Sequence, residues 1–438
     1  MIFSKIALAL SSAATVAHAA NSWIVPGAVW MSTSNTKIDA HGGMVLKRGD
    51  TFYWIGQSAS HNEQPYLYTS KNLLDWTPAS NPQNSIQYMW RPKFAKPNGS
   101  FWIYGQVDRN VQALKSSTIN DNYAVAGSKV SLPPSGYTYS DTGMFADDDG
   151  TWYILTSADH NTVQINRINS DGSIGDRVNY LAKGAYEAPG LFKVNGIYYL
   201  IVSGKTGWRS NPNQMFWASS ISGSWNGPYG IAPDAEKTYN SQNTFELTVA
   251  GSQKTTYIYM GDSWDSKGGP DSNHVWVPMT VDTANKKVTL DYHAQWKIDV
   301  NTGVVSTPSR KRRYEAERAE IVGRAAVGEC GRCLNKRGVR KITSDSAVTF
   351  HNVTGLGGRQ WVQFHYHMQD RNLAEAHVYV NDQPAVNISS LNHRAGYHDI
   401  VPIELNLREG ADNKIIFSVS GNGEEAGVVL DGIEVVED

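Results

Sequence analysis

An all-β fold, a five-bladed β-propeller followed by a β-sandwich of jelly-roll type, is what this sequence predicts, on three observations. First, a polar turn followed by a strand rich in aromatic and β-branched residues recurs five times. The copies are RGDTFYWIGQ at Gly49-Asp50, PNGSFWIYGQ at Asn98-Gly99, DDGTWYILTS at Asp149-Gly150, VNGIYYLIVS at Asn195-Gly196 and QKTTYIYMGD near Thr255. Second, they are spaced by about 45 to 60 residues, as propeller blades are. Stretches such as LYTSKNLLDWTP (Leu67 to Pro78) and FWASSISGSWNGP (Phe216 to Pro228) bring each repeat to about four strands. Third, 14 Trp and 22 Tyr accompany 39 Gly and 17 Pro, a composition that favours short strands and tight turns over helices.

In chain order, Met1 to Ala20 carries Lys5, an apolar run from Ile6 to Val16 and the small-residue pattern Ala17-His18-Ala19, which reads as a secretory signal peptide over residues 1–20. Residues 21–305 hold the repeats. No later run approaches the roughly 20 apolar residues of a membrane span, so a secreted, extracellular protein is expected. The acceptor triplets at Asn98, Asn352 and Asn387 agree with a secreted glycoprotein. A net charge of -2 offers no basic excess for phosphates, so nucleic acid is not an expected partner; without an apolar span a membrane is not one either. Residues 306–313, STPSRKRR, read as an exposed linker, and the basic cluster is also a candidate for proteolytic cleavage. From Tyr314 to Asp438, short alternating stretches such as AVTFHNV, QWVQFHYHM and KIIFSVSG predict the sandwich. The two cysteines, Cys330 and Cys333 in CGRC, predict a local disulfide in a secreted chain.

The stretch with most chemical content is YEAPGLFKVNGIYYLIVSG, Tyr186 to Gly204. It sets Glu187 ahead of the bend Pro189-Gly190 and of a hairpin turned at Asn195-Gly196, so a carboxylate stands at the mouth of a strand pair. The run Asp147, Asp148, Asp149 precedes Gly150 and reads as turn structure.

These segments resemble glycoside hydrolase family 43, five-bladed propeller enzymes that trim sugars from plant cell-wall polysaccharides with inversion. The resemblance is carried by SKNLLDW at Ser70 to Trp76, MWRPKF around Trp90-Arg91-Pro92, SDTGMFADDDG around Asp141, and YEAPGLFKVNGIYYL. AHGG (Ala40 to Gly43), TGWRSNPN (Thr206 to Asn213), YNSQNTFEL (Tyr239 to Leu247) and YMGDSW (Tyr259 to Trp264) are similar to its exo-β-1,3-galactanase branch. The C-terminal unit, opening with Tyr314-Glu315-Ala316-Glu317 and closing with Leu430-Asp431-Gly432-Ile433, resembles carbohydrate-binding modules of the family 35 and 6 type.

The resemblance implies that Glu187 is the general acid and Asp141 the residue that orients it and tunes its pKa. Inversion needs in addition a base for water, about 6.5 to 9.5 Å away. The family's first-blade Asp falls on Gly42, so the branch's Gln, matched by Gln242, takes the role, with Asp39 as the alternative base. Trp90, Gln57, His41, Thr206, Trp208, Asn243, Asp262 and Trp264 are the candidate substrate-binding residues. Trp90 either stacks on a sugar or fills core, and His41 either binds a central metal or water or is a hydrogen-bonded core residue. Trp90 and Gln57 stand where the branch carries Glu, which keeps arabinofuranose, xylose and galactofuranose open beside galactose. Glu315, Glu317 and Asp431 are the implied ligands of a structural calcium ion; catalysis is expected to need no cofactor. The expected partner is an arabinogalactan or galactan polysaccharide, and the expected activity is exo-acting release of galactose from β-1,3-galactan, with a non-catalytic carbohydrate-binding propeller as the rival.

Overall fold

The computed structural model describes residues 23–34, 36–79, 86–120, 122–132, 138–158, 162–182, 184–265, 267–369, 374–391, 399–421 and 425–437. The expected signal peptide, 1–20, lies outside them.

Each repeat forms one four-stranded antiparallel sheet with its strands in sequence order. The first strands of the sheets are His41–Arg48, Met89–Ala95, Tyr139–Ala146, Tyr186–Val194 and Gln242–Ala250. Each packs against the first strand of the next sheet, and the fifth packs against the first, so the five close a ring. The hairpins follow from their turn residues. Val194 pairs with Ile197, leaving Asn195 and Gly196 at φ 49° and 80°, the left-handed pair that a two-residue turn requires.

The ring is fastened where its first and fifth sheets meet. Trp54, Trp76, Trp276 and Trp296 are buried there in one cluster, with Trp54 and Trp276 rings 4.7 Å apart, and Ile24 bridges to Trp296. Tryptophan suits this seam because one side chain removes a large apolar area from water.

The C-terminal residues form two antiparallel sheets. One contains Ala326–Glu329, Arg337–Arg340, Val428–Val436, Gly358–Met368 and Asp399–Leu407, with Lys311–Glu315 paired to Val428–Val436; the other contains Glu320–Val322, Ala347–Gly355, Gly410–Val419, Ala374–Val380 and Val386–Leu391. Alternation decides which face is covered. Along Gly410–Val419, Asn413, Ile415, Phe417 and Val419 are buried while their neighbours are not, and Phe417 meets Phe364 of the facing sheet in one shared core. Cys330 and Cys333 are joined by a disulfide.

The linker expected over 306–313 is a correction. Val305–Ser306 pairs with Lys297–Ile298, and Lys311–Glu315 pairs with Val428–Val436, so only 307–310 connect the two parts. The basic run faces an acidic one: Arg312 reaches Glu437 at 2.7 Å, Arg313 reaches Asp431 at 2.6 Å, and Lys311 reaches Glu434 at 3.5 Å. Lys311 and Arg312 stay exposed, as expected, but they run in a paired strand and not in a linker.

Candidate active site

Every first strand breaks register at the same height. The pairings skip between His41 and Met44, Trp90 and Lys93, Glu187 and Gly190, and Asn243 and Phe245, and in the third sheet Asp141 is the residue left out. These are β-bulges, which turn a side chain out of the alternating pattern and recur beside active sites. Arg91, Asp141 and Ala188 occupy the bulges at φ 49°, 52° and 54°, and Gly42 at 61°. A left-handed backbone at residues other than glycine is strained, and the packing of the ring is what holds it. At Gly143 a side chain would lie 2.2 Å from the Pro189 carbonyl oxygen, so the third and fourth strands are in backbone contact just where their acids emerge.

The bulges converge on a pocket of about 150 Å³ lined by Asp141, Glu187, Gln242, Arg91, Gln57, Gly207 and three tryptophans. Trp90, Trp208 and Trp264 form its aromatic wall, with ring centroids 5.7 and 5.0 Å apart along the series. Burial, and then the nearby charge of Asp141, push the Glu187 carboxyl up to about 7, against the opposing pull of Arg91 and Gln242. Asp141 itself is fixed in place: Oδ1 lies 3.1 Å from Arg91 Nε, and Oδ2 accepts the Ala188 amide at 2.8 Å. A carboxylic acid that keeps its proton near neutrality and faces a fixed carboxylate is equipped to protonate a leaving oxygen.

Gln242 is brought to the site, yet its polar atoms are engaged. Its Nε2 donates to Glu187 Oε1 at 2.9 Å and to Ser203 Oγ at 3.0 Å, while its Oε1 accepts from Arg91 Nη2 at 2.5 Å and Trp264 Nε1 at 2.8 Å. In this arrangement Gln242 positions the acid directly, and its oxygen has no lone pair left to take a proton from water.

Asp39 is not brought in, a correction to its place as alternative base. Its carboxylate accepts from Ser58 Oγ and from the amides of Ala59 and Ser60, and it lies 3.5 Å from His41 Nε2. Counting along the chain placed it near the empty Gly42 position, but the short helix at Ala59–His61 claims it. That position is also not empty. A Cβ on Gly42 would lie 2.7 Å from Arg91 Cγ and 3.0 Å from Gln57 Oε1. Gly42→Asp is therefore expected to lower stability on the order of 1–3 kcal/mol and to add no activity. Thermal unfolding and initial rates check this, and a faster enzyme would refute it.

Four other candidates for sugar contact, Asn243, Thr206, Asp262 and His41, are not among the residues that line this pocket. Asn243 is buried, donating its amide to Asn213 Oδ1 and Nδ2 to the Ala188 carbonyl. Thr206 accepts from Asn211 Nδ2 at 2.9 Å within its own loop. Asp262 accepts from the Gly42 amide at 2.6 Å and lies 3.2 and 3.0 Å from the Nδ1 atoms of His41 and His274. Burial opposes its charge, but hydrogen bonds from His274 and His41 hold its carboxyl well below the usual range. His41 is thus a buried, hydrogen-bonded residue stacked 4.6 Å from His274; among the described residues these two and Asp262 are the one group of three whose ligand atoms lie within 4.8 Å.

Of the implied calcium ligands, Asp431 and Glu315 share the Arg313 guanidinium. Asp431 spends Oδ2 on Arg313 at 2.6 Å and Oδ1 on the Leu334 amide, and Glu315 pairs with Arg313 at 3.0 Å. Glu317 accepts from Asn335, and Glu315 and Glu317 each keep one buried oxygen without a partner. A guanidinium supplies the positive charge that an ion would bring to Asp431.

Arg91 is the functional residue that sequence reasoning passed over. It joins three sheets: Nε to Asp141, Nη2 to Gln242, Nη1 to the Asn243 carbonyl at 2.9 Å, and its own amide to Gln57 Oε1 at 2.7 Å. Its signal was available, because a charge within the apolar strand MWRPKFA must find a partner. Lys93 in the same strand is fully buried, bonded to the Gly42 carbonyl, and pushed well below its ordinary pKa by burial. Gln57 in turn donates to Glu63 Oε2 at 2.8 Å, so a carboxyl, raised to about 7 by burial, stands directly behind the position where the branch has Glu.

A ring of five sheets with paired carboxyls at bulged strand mouths is the build of a glycosidase, and the sequence comparison agrees: residues 37–264 match Glycosyl hydrolases family 43. The chain belongs to that family. The exo-β-1,3-galactanase of Phanerochaete chrysosporium, solved with β-1,3-galactotriose, is 30% identical and superposes with a TM-score of 0.78 over 94% of this chain and 99% of its own. The exo-β-1,3-galactanase of Clostridium thermocellum, 22% identical with a TM-score of 0.61 over 93% of this chain and 99% of its own, shares the fold. Among curated proteins, xylosidase/arabinosidase 43B of Humicola insolens is 25% identical over 43% of this chain and 39% of its own length. An extracellular endo-α-(1→5)-L-arabinanase of Bacillus subtilis is 25% identical over 37% of this chain and 58% of its own. The chain thus spans about two fifths and under three fifths of those two relatives.

Proposed function

We propose that the protein is a secreted, inverting exo-glycosidase that releases galactose from the β-1,3-galactan main chains of arabinogalactan-type polysaccharides. In this reading residues 21–305 are a five-bladed β-propeller whose blades are the five sheets, and the two C-terminal sheets are a β-sandwich carbohydrate-binding module starting at Lys311. The observation that carries the activity is Glu187: a carboxyl raised to about 7, beside Asp141, in a pocket with room for one sugar ring and closed by three tryptophans. Glu187 protonates the leaving oxygen. Water adds to the anomeric carbon from the face opposite Glu187 and gives up its proton to solvent, while Gln242, bonded to Glu187 at 2.9 Å, positions the acid. The module raises the local concentration of polymer without adding chemistry.

Trp90 and Gln57 in the pocket wall favour a second reading within the family, another terminal sugar such as arabinofuranose or xylose. Incubation with β-1,3-galactan, arabinan and xylan separates the readings. Galactose alone, appearing first as the α-anomer, is the expected product. Release of arabinose or xylose instead would refute the galactan reading, and binding with no release would refute the enzyme.

A further inference from the structure

We propose that the cleft between the ring and the C-terminal sheets is a second saccharide-binding site. It encloses about 440 Å³, within the roughly 300–1,000 Å³ of small-molecule sites, and shares no lining residue with the Glu187 pocket. Trp30 and Trp76 enter from the ring side; Trp361, Arg359, Glu404 and Asn387 enter from the C-terminal side.

The chemistry of this lining selects the ligand. The indole N–H groups of Trp76 and Trp361 are buried without a hydrogen-bond partner, and a buried donor that lacks an acceptor is costly. A ligand rich in hydroxyl oxygens satisfies that of Trp361, whose side chain is partly exposed at the cleft, whereas Trp76 is sealed in the seam. Arg359 Nη2 and Glu404 Oε2 lie 2.7 Å apart, so the charged part of the wall is internally neutral and suits an uncharged ligand better than an anion or a cation. Aromatic faces beside this pair match the two aspects of a sugar, apolar C–H surface and polar rim.

The saccharide has two available sources. Asn387 lies exposed at the cleft in the acceptor triplet Asn387-Ile388-Ser389, its Oδ1 2.8 Å from His377 Nδ1, so a glycan on this residue starts at the mouth of the site. The polysaccharide substrate is the other, and that source rests on the glycosidase reading above.

Two preparations of the full chain carrying Glu187→Gln distinguish the sources. From a host that N-glycosylates, peptide mapping is expected to find a glycan at Asn387 that resists endoglycosidase in the native protein and is trimmed tenfold or more faster in Trp361→Ala. From a bacterial host, titration with β-1,3-galactobiose and with α-1,5-arabinobiose is expected to give two sites per chain for at least one sugar, falling to one in Trp361→Phe and in the rim variant Arg359→Ala. Either result supports the site and names its source. The proposal is overturned if Asn387 carries no glycan, or one trimmed at equal rates, and neither disaccharide shows a site that depends on Trp361. Binding at the cleft with none at the Glu187 pocket would sink the catalytic reading and leave the cleft standing.

Discussion

Replacing Glu187 by Gln is expected to lower kcat on the order of 10²–10⁴-fold while leaving oligosaccharide affinity close to that of the parent, because an amide keeps the shape but has no proton to give. The pH dependence follows from the raised pKa. The acid works when protonated, so kcat/KM falls as pH rises through about 7. The same group affects stability with a fixed sign. Burial and the charge of Asp141 make the folded state hold a proton that the unfolded chain gives up at lower pH. Stability therefore declines as pH rises from the ordinary glutamate range to about 7 and is level above it. Glutamine removes that dependence, so the Tm of Glu187→Gln relative to the parent is expected to be higher at pH 8 than at pH 4. Measured rates and melting curves of the two proteins check both expectations. Near-normal turnover, or a Tm difference that moves the other way with pH, would contradict the assignment.

The second large effect belongs to Arg91. Its side chain pairs with Asp141, holds the Gln242 amide oxygen and caps the Asn243 carbonyl, and its guanidinium carbon lies 5.9 Å from the Trp264 ring. Arg91→Met leaves Asp141 with its charge and no counterion, and breaking such a pair costs about 3–5 kcal/mol. The variant is expected to melt at lower temperature and to lose most activity, since Gln242 and Asp141 both lose the partner that fixes them. Arg91→Lys restores charge but not the fork, so it is expected to fall between parent and Arg91→Met. A Tm within error of the parent for Arg91→Met would show that the ring does not depend on this residue.

What could be read from the sequence divides along a physical line. Glu187 is legible in the residues themselves because Asn195-Gly196 sets the hairpin behind it wherever the rest of the ring lies; Asp141 and Gln242 are supplied by the resemblance to the family. Asp39 misled for the same reason inverted. It is near Gly42 in sequence, but the direction of its carboxylate is decided by the Ala59 and Ser60 amides, about 20 residues on, and no local pattern reports that. Arg91 stands in the motif MWRPKF, but its role is set by partners from the third and fifth sheets. The linker expected over 306–313 fails for a related reason: the strand that pairs with Lys311–Glu315, and the acids Asp431, Glu434 and Glu437, lie more than a hundred residues later. Long-range pairing of charges is the part that composition and periodicity do not carry.

The account rests on burial and the charge of Asp141 together keeping the proton on Glu187, and the pH profile of kcat/KM on β-1,3-galactobiose for the parent and Asp141→Asn tests that most directly. Removing the neighbouring negative charge, and freeing Arg91 to act on Glu187, is predicted to move the falling limb from about 7 to lower pH. A limb that stays in place, or moves to higher pH, would contradict it.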